Sequence, residues 1–371
     1  MNYQILARKY RPQSFKEIIG QENIITAICN SIDLGRIHHA WLLSGTRGVG
    51  KTTIARLLAK SLNCNLKINS VPCRICMICK EIEKGISLDF IEIDAASKTK
   101  VEEIKEILDN IYYAPVKSRF KIYLIDEVHM LSKHSFNALL KTLEEPPKHI
   151  KFILATTNIE KIPKTIVSRC LYFQLNILSE NNIFNFLESI LNKENINAHQ
   201  DALKIIANYS KGSMRDALNL LEHAISFSNN NINVKNINKM LGIPNKENIY
   251  LLTKFLLNQD YKNMMCILNK INKLNIEWEN ILIEILRILY HLAMIKLYPL
   301  EWNNVFPKEY QKKIQKIAYE NTKKNIQICY KILLNGRKEL IFSPNHKIGV
   351  KMTLLSAMTK IKYENNKKNN K

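Results

Sequence analysis

The run Gly45-Thr46-Arg47-Gly48-Val49-Gly50-Lys51-Thr52 constrains this chain more than any other feature. It matches G-x-x-x-x-G-K-[ST] in full, follows an apolar run at 40–44 and opens a helical pattern at 51–62, the context the motif requires. The glycines let the backbone curl so that successive N–H groups face an anion, and the helix N-terminus adds partial positive charge. Gly45 to Thr52 therefore predict a phosphate cradle for ATP, with Lys51 reaching the β- and γ-phosphates and the Thr52 hydroxyl on Mg²⁺.

A phosphate loop needs a parallel sheet around it. Four further apolar runs, at 89–94, 120–126, 150–156 and 170–175, alternate with helical patterns at 100–112 and 135–145. That alternation predicts an α/β domain over 1–178 with helices on both faces of the sheet. After 178 the strand signals stop, and three or four short helices are expected over 179–242 as a separate small module. A turn-rich Gly242-Ile243-Pro244-Asn245 leads into an all-helical third domain over 243–364, and the Asn/Lys run 365–371 reads as a disordered tail.

Charge narrows the partners. Lys plus Arg outnumber Asp plus Glu by 55 to 33, a net charge of +22, and the excess lies in the first and third regions. Such a balance suits a nucleic-acid partner, although a Lys- and Asn-rich composition also leaves much of it as solvated surface. The N-terminus has basic residues without the apolar run of a signal peptide, and the oiliest stretch, 281–300, is broken by Glu284, Arg287 and Lys296. A cytoplasmic protein with no membrane contact is expected.

The chemistry of the site comes from strand ends. Asp126 and Glu127 close the run at 121–125: Asp126 would hold Mg²⁺, and Glu127 would orient and deprotonate the attacking water. Both also suit a helix start. Thr157, after the run at 150–156, can reach the γ-phosphate or the water, and Arg169, just before the last run, can act as a finger on a neighbour's nucleotide.

Cys64, Cys73, Cys76 and Cys79 form C-x8-C-x2-C-x2-C, a spacing that suits one tetrahedral Zn²⁺ in a closed, structural site. An iron–sulfur cluster would want a further Cys three residues on, followed by Pro, where Glu83-Lys84 stand. Free thiols are the remaining alternative.

The order of these motifs resembles a known family. The phosphate loop with its inserted cysteine knuckle, the Asp126–Ser132 run DEVHMLS, Leu143-Glu144-Glu145-Pro146-Pro147, Ala155-Thr156-Thr157, Ser168-Arg169-Cys170 and Gly212-Ser213-Met214-Arg215-Asp216 are similar to the tau/gamma family of bacterial DNA polymerase III clamp-loader subunits, in its short, gamma-like form. Arg8 to Pro12, Gly20-Gln21 and Gly35 to Ala40 fit as well.

The resemblance implies an AAA+ ATPase domain, a helical lid and a collar domain that oligomerises. It implies that Thr157 is sensor 1, Arg215 is sensor 2, and Tyr10, Arg11, Pro12 and Ile19 line the adenine pocket. It further implies a ring with delta, delta-prime and other copies of the chain, which opens the sliding clamp (beta) and loads it on primed DNA without sequence preference. Polymerase chemistry would belong to the assembly. For DNA, Ser97-Lys98-Thr99-Lys100 and Lys133-His134 are the candidates, each equally an ordinary basic surface. Two other functions compete: a helicase, because Asp126 to His129 spell a DExH box, and a structural ring subunit that binds ATP without hydrolysing it.

Overall fold

The computed structural model describes residues 4–97, 111, 113–228, 231–272, 276–298 and 308–369. They form two compact units, Met1–Asn233 and Val234–Lys371.

The first unit is built on a five-stranded sheet of β1 (Ala40–Ser44), β2 (Phe90–Asp94), β3 (Lys121–Asp126), β4 (Ile150–Thr156) and β5 (Leu171–Gln174). Its order is β2-β3-β4-β1-β5, and every pairing is parallel. The five predicted runs are these strands. β1 and β4 are buried along their whole length because both faces are covered, so they read as unbroken apolar runs. The edge strands β2 and β5 are only partly buried, and β5 alternates in exposure. Side chains also alternate between two cores: Trp41, Leu43 and Leu124 enter one, and Leu42, Tyr123 and Ile125 the other.

The helices of this part of the chain include α1 (Leu6–Lys9), which packs on the helix Met214–Ser228, and, around the sheet, α2 (Glu22–Asp33), α3 (Lys51–Asn63), α4 (Met77–Lys84), α5 (Lys133–Glu144) and α6 (Lys164–Val167). The α5 helix starts where the Ser132 hydroxyl accepts the Ser135 N–H, and it ends before Pro146-Pro147. The pattern expected at 100–112 lies outside the described residues except for the buried Ile111.

Three helices follow: α7 (Glu180–Glu194), α8 (Gln200–Tyr209) and α9 (Met214–Ser228). Strands do not stop at 178, as the sequence had suggested: β6 (Asn197–Ala198) pairs in parallel with β7 (Asn231–Ile232). Two residues are too few to display a period-two pattern, which is why composition hid them.

The second unit contains α10 (Val234–Met240), α11 (Lys246–Leu257), α12 (Tyr261–Ile271), α13 (Trp278–Leu297), α14 (Lys308–Glu320), α15 (Lys323–Glu339) and α16 (His346–Asn369). The turn at 242–245 lies inside this unit, between α10 and α11. Its core is one cluster that includes Leu252, Met264, Leu289, Leu333 and Leu354. The backbone of 365–369 is helical and not a loose tail, because extending a packed helix adds one hydrogen bond per residue after the costly first turn is made. Among the described residues no helix is long and apolar enough to cross a membrane.

Candidate nucleotide and metal sites

The phosphate loop leaves the carboxyl end of β1, where a ligand crevice is expected in an open parallel sheet. Gly45, Gly48 and Gly50 have φ of +147°, +82° and +108°, which only glycine adopts freely. The Lys51 ammonium folds back on the loop, donating to the Gly45 carbonyl at 2.7 Å and the Thr46 carbonyl at 3.0 Å. Lys51 is only 6% exposed, and burial lowers its pKa against the opposing pull of Glu127 and Asp126. A buried cation held by two weak carbonyl partners is matched to an anion that brings charge of its own.

The carboxylates come from the end of β3, two strands away in the sheet. The Thr52 hydroxyl donates to Asp126 Oδ2 at 2.9 Å, so the two predicted Mg²⁺ positions are adjacent. Asp126 Oδ1 accepts the Glu127 N–H at 2.9 Å. Glu127 has φ +48°, a left-handed conformation that turns its side chain toward β4. There its Oε2 accepts both the Thr157 N–H at 3.1 Å and the Thr157 hydroxyl at 2.9 Å. His129 Nδ1 lies 3.3 Å from the same Oε2 and 3.1 Å from Thr156 Oγ1. The donor set fits a nucleotide with Mg²⁺: a hydroxyl and a carboxylate for the metal, N–H groups and an ammonium for phosphate, a second carboxylate beside them.

Arg215 sits on α9 against this loop: a Cβ at Gly48 would lie 3.2 Å from the Arg215 Cβ and 2.0 Å from the Ser213 hydroxyl. A cleft of about 560 Å³ between Thr46-Arg47 and the lid residues Ser210 to Ser213 opens beside that contact. Arg11 lies within electrostatic reach of Arg215 and Arg56, and burial first, then these cations, lowers its pKa. Tyr10 donates its hydroxyl to Glu194 of α7, and burial with this carboxylate pushes its pKa up to about 12. Pro12 and Ile19 flank this segment, both half-buried.

Arg169 is elsewhere. It stands two residues before β5, at the amino end of the parallel sheet, whereas the phosphate loop follows the carboxyl end of β1. It donates to Glu144 Oε1 at 2.7 Å and to the Thr165 carbonyl at 2.7 Å, and it is partly exposed. It cannot reach the nucleotide site of its own chain.

The four cysteines converge, with their sulfurs all within 4.8 Å of one another and the Cys73 and Cys79 sulfurs 4.0 Å apart. A tetrahedral Zn²⁺ with Zn–S of about 2.3 Å separates its sulfurs by roughly 3.8 Å, so the cage fits such an ion. Backbone N–H groups of Cys73, Cys76 and Cys79 point at the sulfurs of Cys64, Cys73 and Cys76, at 3.4 to 3.5 Å. These donors stabilise thiolates. Arg74, at φ +63°, makes the tight turn between two ligands.

Of the DNA candidates, Lys98, Thr99 and Lys100 lie outside the described residues, and Ser97 is exposed with its hydroxyl on the Asp94 carbonyl. Lys133 and His134 are exposed on the first turn of α5. Sequence reasoning missed three site residues: His129, Glu194 and Gln21. Gln21 is buried and clasps the backbone of Asn176 from both sides, at 2.7 and 3.1 Å. His129 was in view within the DExH run and Gln21 within Gly20-Gln21, neither with a role; Glu194 belongs to no local pattern.

Comparison with known proteins gives the family. Residues 20–179 match a family model described as DNA polymerase III, delta subunit. Residues 182–230 match the ATPase lid domain of the DNA polymerase III clamp-loader subunit, and residues 232–369 match domain III of subunits gamma and tau. The chain is 72% identical to DNA polymerase III subunit gamma of Buchnera aphidicola subsp. Schizaphis graminum, covering 98% of this chain and 100% of that one. It is 64% identical to the gamma subunit of Buchnera aphidicola subsp. Acyrthosiphon pisum, over 97% and 100%. It is 49% identical to Escherichia coli DNA polymerase III subunit tau, over 96% of this chain and 56% of tau. A phosphate-loop core, an ATPase lid domain and a helical third region, matched in order and nearly end to end, place the chain in the gamma/tau family of DNA polymerase III clamp-loader subunits.

Proposed function

We propose that this chain hydrolyses ATP within a clamp-loader ring, and that hydrolysis releases a sliding clamp it has helped to place on primed DNA. The observation that carries the reading is the cluster at the strand ends: Thr52 on Asp126 at 2.9 Å and Glu127 on Thr157 at 2.9 Å, beside a buried Lys51. A subunit that only bound nucleotide would need Lys51 and Thr52 but not a second carboxylate with a polar strand-end partner.

When bound, Mg²⁺-ATP supplies the electrophilic γ-phosphoryl group and a counterion for its charge. The residues divide the remaining work. The N–H groups of Gly45 to Gly50, with Lys51, bind phosphate oxygens. Thr52 and Asp126 hold the cation. Glu127 accepts a proton from water, and Thr157 holds the Glu127 carboxylate in place and marks the γ-phosphate position. Arg215 brings the lid onto the phosphates. Tyr10, Arg11, Pro12 and Ile19 border the base. Arg169, at the other end of the sheet, serves the nucleotide of a neighbouring subunit, and Glu144 aims it.

Cys64, Cys73, Cys76 and Cys79 hold Zn²⁺ as a structural ion. The expected partners are delta, delta-prime, further copies of this chain and the beta clamp, in the cytoplasm. The domain limits taken with this reading are 1–178, 179–242 and 243–364, whereas the two compact units divide between Asn233 and Val234.

The test is ATP turnover by the assembled ring with clamp and primed DNA. Glu127→Gln should leave nucleotide binding intact and reduce turnover by about 10²–10⁴-fold, the usual contribution of a positioned base. Turnover that survives this change would remove Glu127 from its role. A flat, low rate for the unaltered ring under every combination would favour the non-hydrolysing subunit.

A further inference from the structure

The contacts that fix the cysteine knuckle in place converge on the N-terminal segment. Lys60, on α3, is 2% exposed, and its ammonium donates to Gln13 Oε1 at 2.7 Å and to Glu83 Oε2 at 3.0 Å. Glu83 belongs to α4, whose N-cap is Cys76 and whose first turn carries Cys79. Gln13 directly follows Pro12. A buried ammonium whose hydrogen-bond partners sit on two different segments ties those segments together, because loss of either leaves charge unsatisfied in a dry place.

A second path runs beside the first. Arg74, between ligands Cys73 and Cys76, pairs with Glu17 at 3.7 Å. Glu17 accepts the Gln13 N–H at 2.8 Å and the Ser14 hydroxyl at 2.9 Å. The knuckle residues Ile68 and Cys76 pack against the same buried cluster that holds Phe15. Toward its other end the segment meets the lid: Lys9 and Tyr10 bond Glu194, α1 packs on α9, and Arg11 faces the charge of Arg215.

We propose that Lys60 is a positioning residue that couples metal occupancy of the cysteine knuckle to nucleotide affinity. Four thiolates closed on a thiophilic divalent cation hold the start of α4. Glu83 on α4 then holds Lys60, and Lys60 holds Gln13 and with it Tyr10, Arg11 and Pro12. Metal loss frees the first turn of α4, and the segment that borders the nucleotide loosens with it. This proposal rests on the reading that residues 10–12 border the bound nucleotide.

The experiment uses the full chain, loaded with Zn²⁺ or stripped by chelator. It has two readouts: titration with a fluorescent ATP analogue, and hydrogen exchange at residues 10–17. Stripping should raise the Kd at least about fivefold, the lower end of ordinary coupling between sites, and speed exchange at 10–17. Lys60→Met in the metal-loaded protein should do the same with metal content unchanged, and stripping it further should add little. Glu83→Gln, at a more exposed position, should act in the same direction with an unchanged melting temperature, which covers the case in which Lys60→Met fails to fold. Unmoved affinity and exchange after stripping and in both variants overturn the proposal, as does a chain that retains no metal on reconstitution. If the loaded, unaltered chain binds no nucleotide, the nucleotide reading falls, and exchange at 10–17 alone decides the coupling.

Discussion

At the scale of single residues, the phosphate loop shows how one position serves two parts of the fold. Gly48 is required by its φ of +82°, but also by what faces it: a Cβ there would stand 2.0 Å from the Ser213 hydroxyl. Gly48→Ala should therefore do more than strain the loop. It should push the lid off the phosphates and weaken ATP-analogue binding at least about tenfold, equivalent to roughly 1.4 kcal/mol; an unchanged Kd would mean that the lid contact does not matter. The motif made Gly48 legible, since the spacing of glycines to Lys51 is local. Ser213 as its neighbour was not legible, because 165 positions separate them in the chain. Asp126 and Glu127 could likewise be read from a strand end, whereas the pairing of Glu127 with Thr157 depends on β3 and β4 lying side by side.

At the scale of elements, the connection into β3 is held by one carboxylate. Asp89, buried just before β2, accepts the N–H groups of Val116, Lys117 and Ser118 at 2.7 to 2.8 Å. Burial alone would raise its pKa, but the three donors outweigh burial and hold it below the ordinary carboxylate value. A lowered folded-state pKa contributes stability that is present above the unfolded value of about 3.9 and is lost as pH falls through the lower, folded one. Asp89→Ala should cost on the order of 3 kcal/mol at neutral pH by leaving buried donors unpaired, and should flatten the acid limb of a denaturation curve. Equal acid limbs for the two proteins would exclude that role. Helix ends were more legible than this loop. Ser132 before α5 and Pro146-Pro147 after it are local stops, while the partners of Asp89 lie 27 to 29 residues away.

At the scale of the whole molecule, the two units have separate cores: one cluster draws only on residues 249–361, and the clusters around the sheet only on residues 15–175. The cysteine cage lies wholly in the first unit. Chelation should therefore lower the melting temperature of a 1–233 fragment and leave a 234–371 fragment unmoved; a shift in the second fragment would show that the effect is not through the cage. The net charge of +22 makes a further expectation. Binding of the assembled ring to primed DNA should weaken steeply between low and physiological salt, with a log–log slope that counts the phosphates neutralised. A flat salt response would assign the excess charge to solvated surface.

The sequence by itself determined the parts that depend on neighbours along the chain. The phosphate loop, the carboxylate pair, the four-cysteine spacing and the five strands are all signals of period two, period 3.6 or fixed short spacing. Tertiary structure alone decided which of these meet. Strand order brings Thr157 to Glu127 and Thr52 to Asp126, and it carries Arg169 to the far end of the sheet from its own phosphate loop. It also stretches the N-terminal segment from the lid to the cysteine knuckle. The physical reason is common to all of them: a contact across the chain is set by how buried surfaces pack, and no local pattern of residues encodes which distant partner will fill a given face.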